Sequence, residues 1–275
     1  MQKENLKNKI REASEKVRAT NPLAPSITNT VTINFVANAQ LAVGGSAAMF
    51  YLPDEGETGA KIGGAFYINA GTFFPVYKET LPATAKKLHE LNKPWVLDPV
   101  ALGIGSLRTE MIMAFKDFPP AIVRGNASEI ITVAKLWGLL SDTNAKGAKG
   151  VESSDSVESA KEAAKILAKF IKGAVAVSGK EDLVTDGETV VFSKGGSPFM
   201  EKITGAGCSL GGVCAVYAAV TDPFTAALAA TQHYNIAGTR AHKKSKAPGT
   251  FQVKFIDELY LATPKDIANN PFEIV

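Results

Sequence analysis

Five consecutive residues, Thr204-Gly205-Ala206-Gly207-Cys208, have the makings of a turn that opens a helix around an anion. Two glycines let the backbone approach a phosphate closely, and a helix starting there offers unpaired N–H groups and the positive end of its dipole. Gly205, Ala206, Gly207 and Cys208 would then form an oxyanion hole for a transferring phosphoryl group. A tight turn before a buried helix needs the same residues, so the run alone leaves both readings open.

Three further groups could act beside such a turn. In Arg124-Gly125-Asn126-Ala127-Ser128-Glu129, Asn and an acid three residues later serve equally as a helix cap or as holders of a hydrated magnesium ion against a triphosphate. Asp98, followed by Pro99-Val100, ends an apolar run and is either a turn former or a site acid touching magnesium directly or through a second group. Ser26-Ile27-Thr28-Asn29 resembles a helix start, with Thr28 or Asn29 as cap and Asn34 and Asn38 in later turns. These asparagines do not all share one helical face, so at most a subset meets a ligand. His89, His233 and His242 show no metal-ligand spacing.

The elements that must hold these residues alternate along the chain. Ala47–Phe50, Gly64–Ile68, Trp95–Leu97, Ala121–Val123 and Ala174–Val177 are short apolar runs of the kind that form strands buried on both faces. Helix-like stretches at Pro75–Leu91, Arg108–Phe115, Ala127–Trp137 and Ser156–Ile171 separate them. This predicts an α/β fold in three layers, a mostly parallel central sheet with helices on both faces. Asp182–Asp186 and Thr189–Phe192 flank Gly187-Glu188 and read as a hairpin that adds an antiparallel edge. Helices at Gly207–Val220, Pro223–Lys243 and Phe251–Leu261 complete the chain, Pro223 suiting a first helical turn. Lys146–Ser156, rich in Gly, Lys and Ser, reads as a mobile surface loop. No repeat or linker divides residues 1–275, which predicts a single domain. In open α/β sheets ligands sit beyond the carboxyl ends of the strands. That rule selects Met49-Phe50, Asn69, Asp98, Arg124–Asn126, Ser178-Gly179 and the turn at 204–208.

Bulk properties exclude other classes. A net charge of +3 is too small to argue for nucleic acid, and the densest basic run, Lys243-Lys244-Ser245-Lys246, reads as a solvated helix end. No window approaches the roughly 20 apolar residues of a membrane span, and the Lys/Glu-rich N-terminus is no signal peptide. Cys208 and Cys214 fall on different faces of one helix, so no disulfide is expected. The expected setting is a soluble, reducing, cytoplasmic one.

Together these stretches resemble the hydroxyethylthiazole kinase family, a branch of the ribokinase-like fold. The resemblance is carried by Ser26–Asn29, Asn34–Asn38, Asp98-Pro99-Val100, Arg124–Glu129, Lys202–Cys208 and Pro248–Gln252, in the family's order and spacing. It implies ATP- and magnesium-dependent phosphorylation of a thiazole alcohol in thiamine salvage. By position, Met49, Gly205 and Asn29 would face the thiazole, Arg124 and Ser178 would bind ATP, and Asp98 and Glu129 would lie near the magnesium. Trimers with sites at subunit boundaries are typical of the family, so a neighbouring chain would complete the pocket.

Two departures stand out. Pro25-Ser26 replaces a His or His-Cys-like pair, and Ala101 replaces the glycine common after Asp-Pro-Val. The first bears on substrate contacts, the second on a loop beside the site. Many ribokinase-like enzymes carry Asp at the position of Cys208. A thiol there accepts a proton only as thiolate, so Cys208 is expected mainly to orient the substrate hydroxyl. The alternatives are another ribokinase-like vitamin kinase, for hydroxymethylpyrimidine or pyridoxal, and a binding protein that keeps the fold without turnover.

Overall fold

A computed structural model describes residues 1–140 and 157–275. The surface loop expected at Lys146–Ser156 lies outside the described residues. Nine strands form one sheet: β1 (Leu23–Ile27), β2 (Ser46–Met49), β3 (Phe66–Asn69), β4 (Trp95–Asp98), β5 (Ile122–Asn126), β6 (Ala174–Ser178), β7 (Asp182–Thr185), β8 (Val190–Ser193) and β9 (Phe272–Ile274). Their order is β2-β1-β3-β4-β5-β6-β7-β8-β9. Pairing is parallel from β2 across to β6 and antiparallel from β6 to β9. The mostly parallel sheet with an antiparallel edge is the arrangement the alternating runs predict.

Strand residues alternate between two cores. In β4, Trp95 and Leu97 pack on one side and Val96 on the other; in β6, Val175 and Val177 oppose Ala174 and Ala176. The side of Trp95 is covered by α3 (Pro53–Ile62), α4 (Tyr77–Glu90), α5 (Ser106–Ala114), α6 (Ala127–Leu136) and α7 (Val157–Ile171). The side of Val96 is covered by α1 (Gln2–Thr20), α2 (Ile33–Ala42), α8 (Ala206–Ala218), α9 (Pro223–Lys243), α10 (Pro248–Leu261) and α11 (Pro264–Asn269). Small residues dominate α8, Ala-Gly-Cys-Ser-Leu-Gly-Gly-Val-Cys-Ala-Val-Tyr-Ala, and let it lie close against the middle of the sheet. With a two-residue period, Asn69, Asp98, Arg124 and Ser178 must share the face of Val96, beneath α8.

At β1 and near both ends of the described sheet and helices the structure differs from the sequence reading or adds to it. The segment read as opening a helix at Ser26–Asn29 is the end of β1 and the turn after it, and α2 begins only at Ile33. β1 holds a proline, which lacks the amide a ladder uses, and this hides the strand from a reading by propensity. Its pairing with β3 begins only at Ser26, one residue beyond Pro25. The Lys/Glu-rich N-terminus forms α1, anchored by buried Leu6, Ile10, Ala13 and Val17. The structure also adds β9, a three-residue strand that extends the antiparallel edge. Pro223 opens α9 as expected, behind Asp222, whose side chain accepts from the Thr225 amide at 2.9 Å. The basic run at Lys243–Lys246 ends α9, as a solvated helix end would. Among the described residues, no helix is long and apolar enough to cross a membrane.

Candidate active site

A line of largely buried polar side chains crosses the carboxyl ends of five parallel strands, beneath the start of α8. Asn29, in the turn after β1, donates from Nδ2 to Asn69 Oδ1 at 2.8 Å and lies 3.5 Å from Cys208 Sγ. Asn69 donates from Nδ2 to the Tyr67 hydroxyl at 2.8 Å and to Asp98 Oδ2 at 3.1 Å. Asp98 Oδ2 also meets the Tyr67 hydroxyl at 3.0 Å and Arg124 Nη1 at 3.3 Å. Arg124 closes the line by donating from Nη2 to Ser178 Oγ at 2.8 Å. The register explains the adjacency, since Asn69 pairs with Asp98 and Arg124 pairs with Ala176.

Electrostatics distinguish the members of this line. Burial pushes the Asp98 carboxyl above its ordinary range, with Arg124 pulling against it. Burial also works against the Arg124 charge, but Asp98 and then Glu129 outweigh it and keep the guanidinium protonated. The Cys208 thiol is pushed up by burial first and the Asp98 charge second, so it stays a neutral thiol at neutral pH. The positive helix end does not make it a thiolate.

The turn at 204–208 has the expected form. Gly205 caps α8 in the left-handed region, at φ 90°, and the helix begins at Ala206. A Cβ on Gly207 would come within 2.8 Å of Arg124 Nη1 and 2.9 Å of Nη2, so the absent side chain is what lets the guanidinium lie against the turn. Gly207 thus lies against the Arg124 guanidinium, and Cys208 reaches Asp98 through the Tyr67 hydroxyl.

Asn126 and Glu129 act as the helix cap that one of their two readings expects. The Asn126 side chain accepts from the Glu129 amide at 2.9 Å, and Glu129 Oε2 accepts from the Asn126 amide at 2.8 Å, a reciprocal cap of α6. Glu129 nevertheless lies close enough to Arg124 and Asp98 to be felt by both, and burial followed by Asp98 raises its carboxyl. Its other oxygen accepts from the Ala101 amide at 3.2 Å, tying the loop after Asp98 to α6. Ala101 pays for that contact with a left-handed backbone, φ 55°, the conformation a glycine would hold without strain. Ala101→Gly is expected to raise stability by about 0.5 kcal/mol, strain relief of about 1 kcal/mol being partly offset by a freer unfolded chain. Urea unfolding checks this, and a loss above 1 kcal/mol would show that Ala101 is not strained.

Among the other sequence candidates, Met49 sits at the carboxyl end of β2, the outermost strand, in register with Ser26. It is at the same end of the sheet as the polar line but shares no hydrogen bond with it. Ser26 turns into the core, where its Oγ accepts from Gln40 Nε2 at 3.2 Å. Asn34 and Asn38 bond to each other on the surface at 2.9 Å, so of the three asparagines only Asn29 reaches the site. His233 is buried and pushed down by burial to about 3, a neutral ring that donates from Nε2 to the Leu259 carbonyl. Cys208 and Cys214 are both free thiols. Tyr67 is the member that sequence reasoning missed. Its signal was its place two residues before Asn69, on the same strand face.

A magnesium ion typically takes only one or two protein carboxylates and keeps several waters. Among the described residues no cluster of three or more His, Cys, Asp or Glu could hold a metal. Asp98 Oδ1, however, is buried without any hydrogen-bond partner, whereas Oδ2 is surrounded by donors. A buried carboxylate oxygen left bare beside an anion cradle fits a hydrated cation.

Comparison with known proteins agrees with this arrangement. Residues 14–265 match the family model described as the hydroxyethylthiazole kinase family. A hydroxyethylthiazole kinase of Bifidobacterium adolescentis is 54% identical, over 96% of this chain and 93% of that protein. The structure of hydroxyethylthiazole kinase protein from Pyrococcus horikoshii superposes with a TM-score of 0.85 at 30% identity, covering 97% of this chain and 98% of that one. A ribokinase-like superfamily protein from Enterococcus faecalis matches with a TM-score of 0.61 at 12% identity, over 92% and 93% of the two chains, and shares the fold.

Proposed function

Since the chain belongs to the hydroxyethylthiazole kinase family, we propose that it transfers the terminal phosphoryl group of ATP to the hydroxyl of 4-methyl-5-(2-hydroxyethyl)thiazole, a step of thiamine salvage. The observation that carries this reading is the buried line Asn29–Asn69–Asp98–Arg124–Ser178 under the first turn of α8. It sets a fixed positive charge, a bare carboxylate oxygen and a row of backbone amides around one point.

In this reading Arg124 and Ser178 hold the ATP phosphates, and the amides of 205–208 receive charge from the transferring group. Met49, Gly205 and Asn29 enclose the thiazole. Asp98 Oδ1, with Glu129 beyond it, would hold Mg2+, which when bound screens the phosphate oxygens. As the alcohol oxygen bonds to phosphorus, the bond from phosphorus to the leaving ADP oxygen breaks. A loose transition state places little demand on a base. A neutral thiol at Cys208 therefore orients the hydroxyl without taking its proton, which passes to a phosphate oxygen or to water as the new bond forms. Cys208→Ser keeps a small donor and acceptor at that place and is expected to lower kcat only about tenfold, below the range of a lost general base. A loss beyond about 10⁴-fold would give Cys208 a chemical role.

We further read residues 1–275 as one kinase domain acting in the cytoplasm as a homotrimer. The single sheet and the free thiols support the first two points. For the trimer, the outer edge of β2 beside Met49 is unpaired among the described residues, and Leu41, Tyr260 and Leu261, each more than half exposed, line a groove between α2 and α10. Sedimentation of the purified protein tests this, and a monomer at micromolar concentration would refute it. The test of activity is ATP consumption measured in parallel with the thiazole alcohol, hydroxymethylpyrimidine and pyridoxal. Turnover with the thiazole alcohol at the highest kcat/KM is expected, and preference for either of the others would replace this reading.

A further inference from the structure

Tyr67 is fully buried in β3 and exposes nothing to a substrate. Its hydroxyl nevertheless lies 2.6 Å from the Cys208 carbonyl oxygen and 3.0 Å from Asp98 Oδ2, while it accepts from Asn69 Nδ2. The ring lies against Gly211, where a Cβ would come within 2.4 Å of Cε2, so α8 has been cleared at that place to admit it. Burial, then the charge of Asp98, holds the phenol well above its ordinary range, and it remains a donor. One hydroxyl thus bridges the two halves of the site. On one side is the helix whose first amides form the anion cradle, and on the other the carboxylate with the bare oxygen.

We propose that the Tyr67 hydroxyl is a positioning group that sets the first turn of α8, and with it the amides of 205–208, at a fixed distance from Asp98. The proposal rests on reading this site as one for phosphoryl transfer. Phenylalanine would fill the same volume against Gly211, so the packing does not require the hydroxyl. The Cys208 carbonyl is also within the ordinary helical pattern and does not need a second donor. What the hydroxyl adds is a direct tie between sheet and helix at the reacting point, where a displacement of about 1 Å costs on the order of 10²-fold in rate.

Tyr67→Phe tests this through three readings. They are steady-state phosphorylation of the thiazole alcohol, the Mg2+ concentration giving half activation, and the rate at which iodoacetamide alkylates Cys208 in protein free of nucleotide and metal. Cys214 is fully buried, so alkylation of the folded protein reports on Cys208. The expected result is a fall in kcat of about tenfold or more with KM for the alcohol within about twofold, the pattern of a lost transition-state interaction. Half-activating Mg2+ should rise about threefold or more, and the alkylation rate should change by a similar factor.

A lowered melting temperature with unchanged kcat and alkylation would mean that the hydroxyl only stabilises the fold, and the proposal fails. It fails equally if kcat falls but neither the Mg2+ dependence nor alkylation moves. Should the wild-type protein phosphorylate no thiazole alcohol, the functional reading fails by itself, and alkylation still decides for or against the tie. If Tyr67→Phe does not fold, 3-fluorotyrosine at position 67 keeps ring and hydroxyl while altering the strength of the donor. A smaller shift in the alkylation rate and in kcat, about twofold, is then expected from the altered bond, and its absence overturns the proposal.

Discussion

Asp98→Asn is expected to lower kcat by about 10³-fold, near 4 kcal/mol of transition-state stabilisation, with no rescue by excess Mg2+. The size follows from the asymmetry of the carboxylate. Its Oδ2 meets three donors, from Tyr67, Asn69 and Arg124, so an asparagine must turn its own oxygen to that side. The amide nitrogen then occupies the position of Oδ1, the atom without a partner, and presents hydrogens where a cation would need an oxygen. The same change leaves the buried Arg124 without its nearest anion. Removing one partner of a buried pair ordinarily costs about 3–5 kcal/mol of stability. Here the cost should be smaller, because burial already disfavours the Asp98 charge and the amide oxygen still accepts from Arg124. The variant should therefore fold, and activity should fall far more than stability. Parallel measurement of kcat and urea unfolding decides the point. A kcat within tenfold of wild type would remove Asp98 from the proposed metal site.

How much of this could be read from the sequence depended on periodicity and on strand ends. Asn69, Asp98, Arg124 and Ser178 each follow an apolar run of two to four strand residues, and the strand-end rule alone gathers them on one edge. The two-residue period then places all four beneath α8, a step available from the sequence as soon as the strands are known. Two features were less legible. Ser26–Asn29 has the residue types of a helix cap, yet Asn29 uses its amide to bridge Asn69 and the Thr32 amide. Local composition does not say whether an asparagine caps a helix or reaches across a sheet. Tyr67 was hidden for the opposite reason, since an aromatic residue inside an apolar strand reads as core. Its function is visible only from the partner helix, where Gly211 has no side chain to exclude it. For Asn126 and Glu129 the cap is the reading the structure bears out, and the cap also leaves the buried Glu129 carboxylate within electrostatic reach of Asp98 and Arg124.

The two glycines of the 204–208 turn should differ in how catalysis and stability respond to a side chain. Gly207 lies inside α8 with an ordinary helical backbone, and alanine there favours the helix by up to about 1 kcal/mol. The added Cβ, however, would stand 2.8 Å from Arg124 Nη1, 2.9 Å from Nη2 and 3.2 Å from Cζ. A free guanidinium would swing aside at little cost. This one is held by Asp98 and Ser178 and is only 7% exposed, so moving it breaks both contacts. Gly207→Ala is thus expected to lower kcat/KM for ATP by about 10²-fold, the scale of a lost charge-stabilising donor, and to lower the melting temperature as well, because the strained buried contacts of Arg124 outweigh the helix gain. Gly205→Ala should lower stability alone. Its φ of 90° is strained for any side chain, costing about 1–2 kcal/mol of stability, while its Cβ would meet Phe35 and Thr32 at 3.1 Å and leave Arg124 untouched. Melting curves and ATP kinetics on the two variants side by side give the answer. If Gly207→Ala keeps full activity, Arg124 does not act from the position it occupies here, and the cradle must be formed by the backbone amides alone.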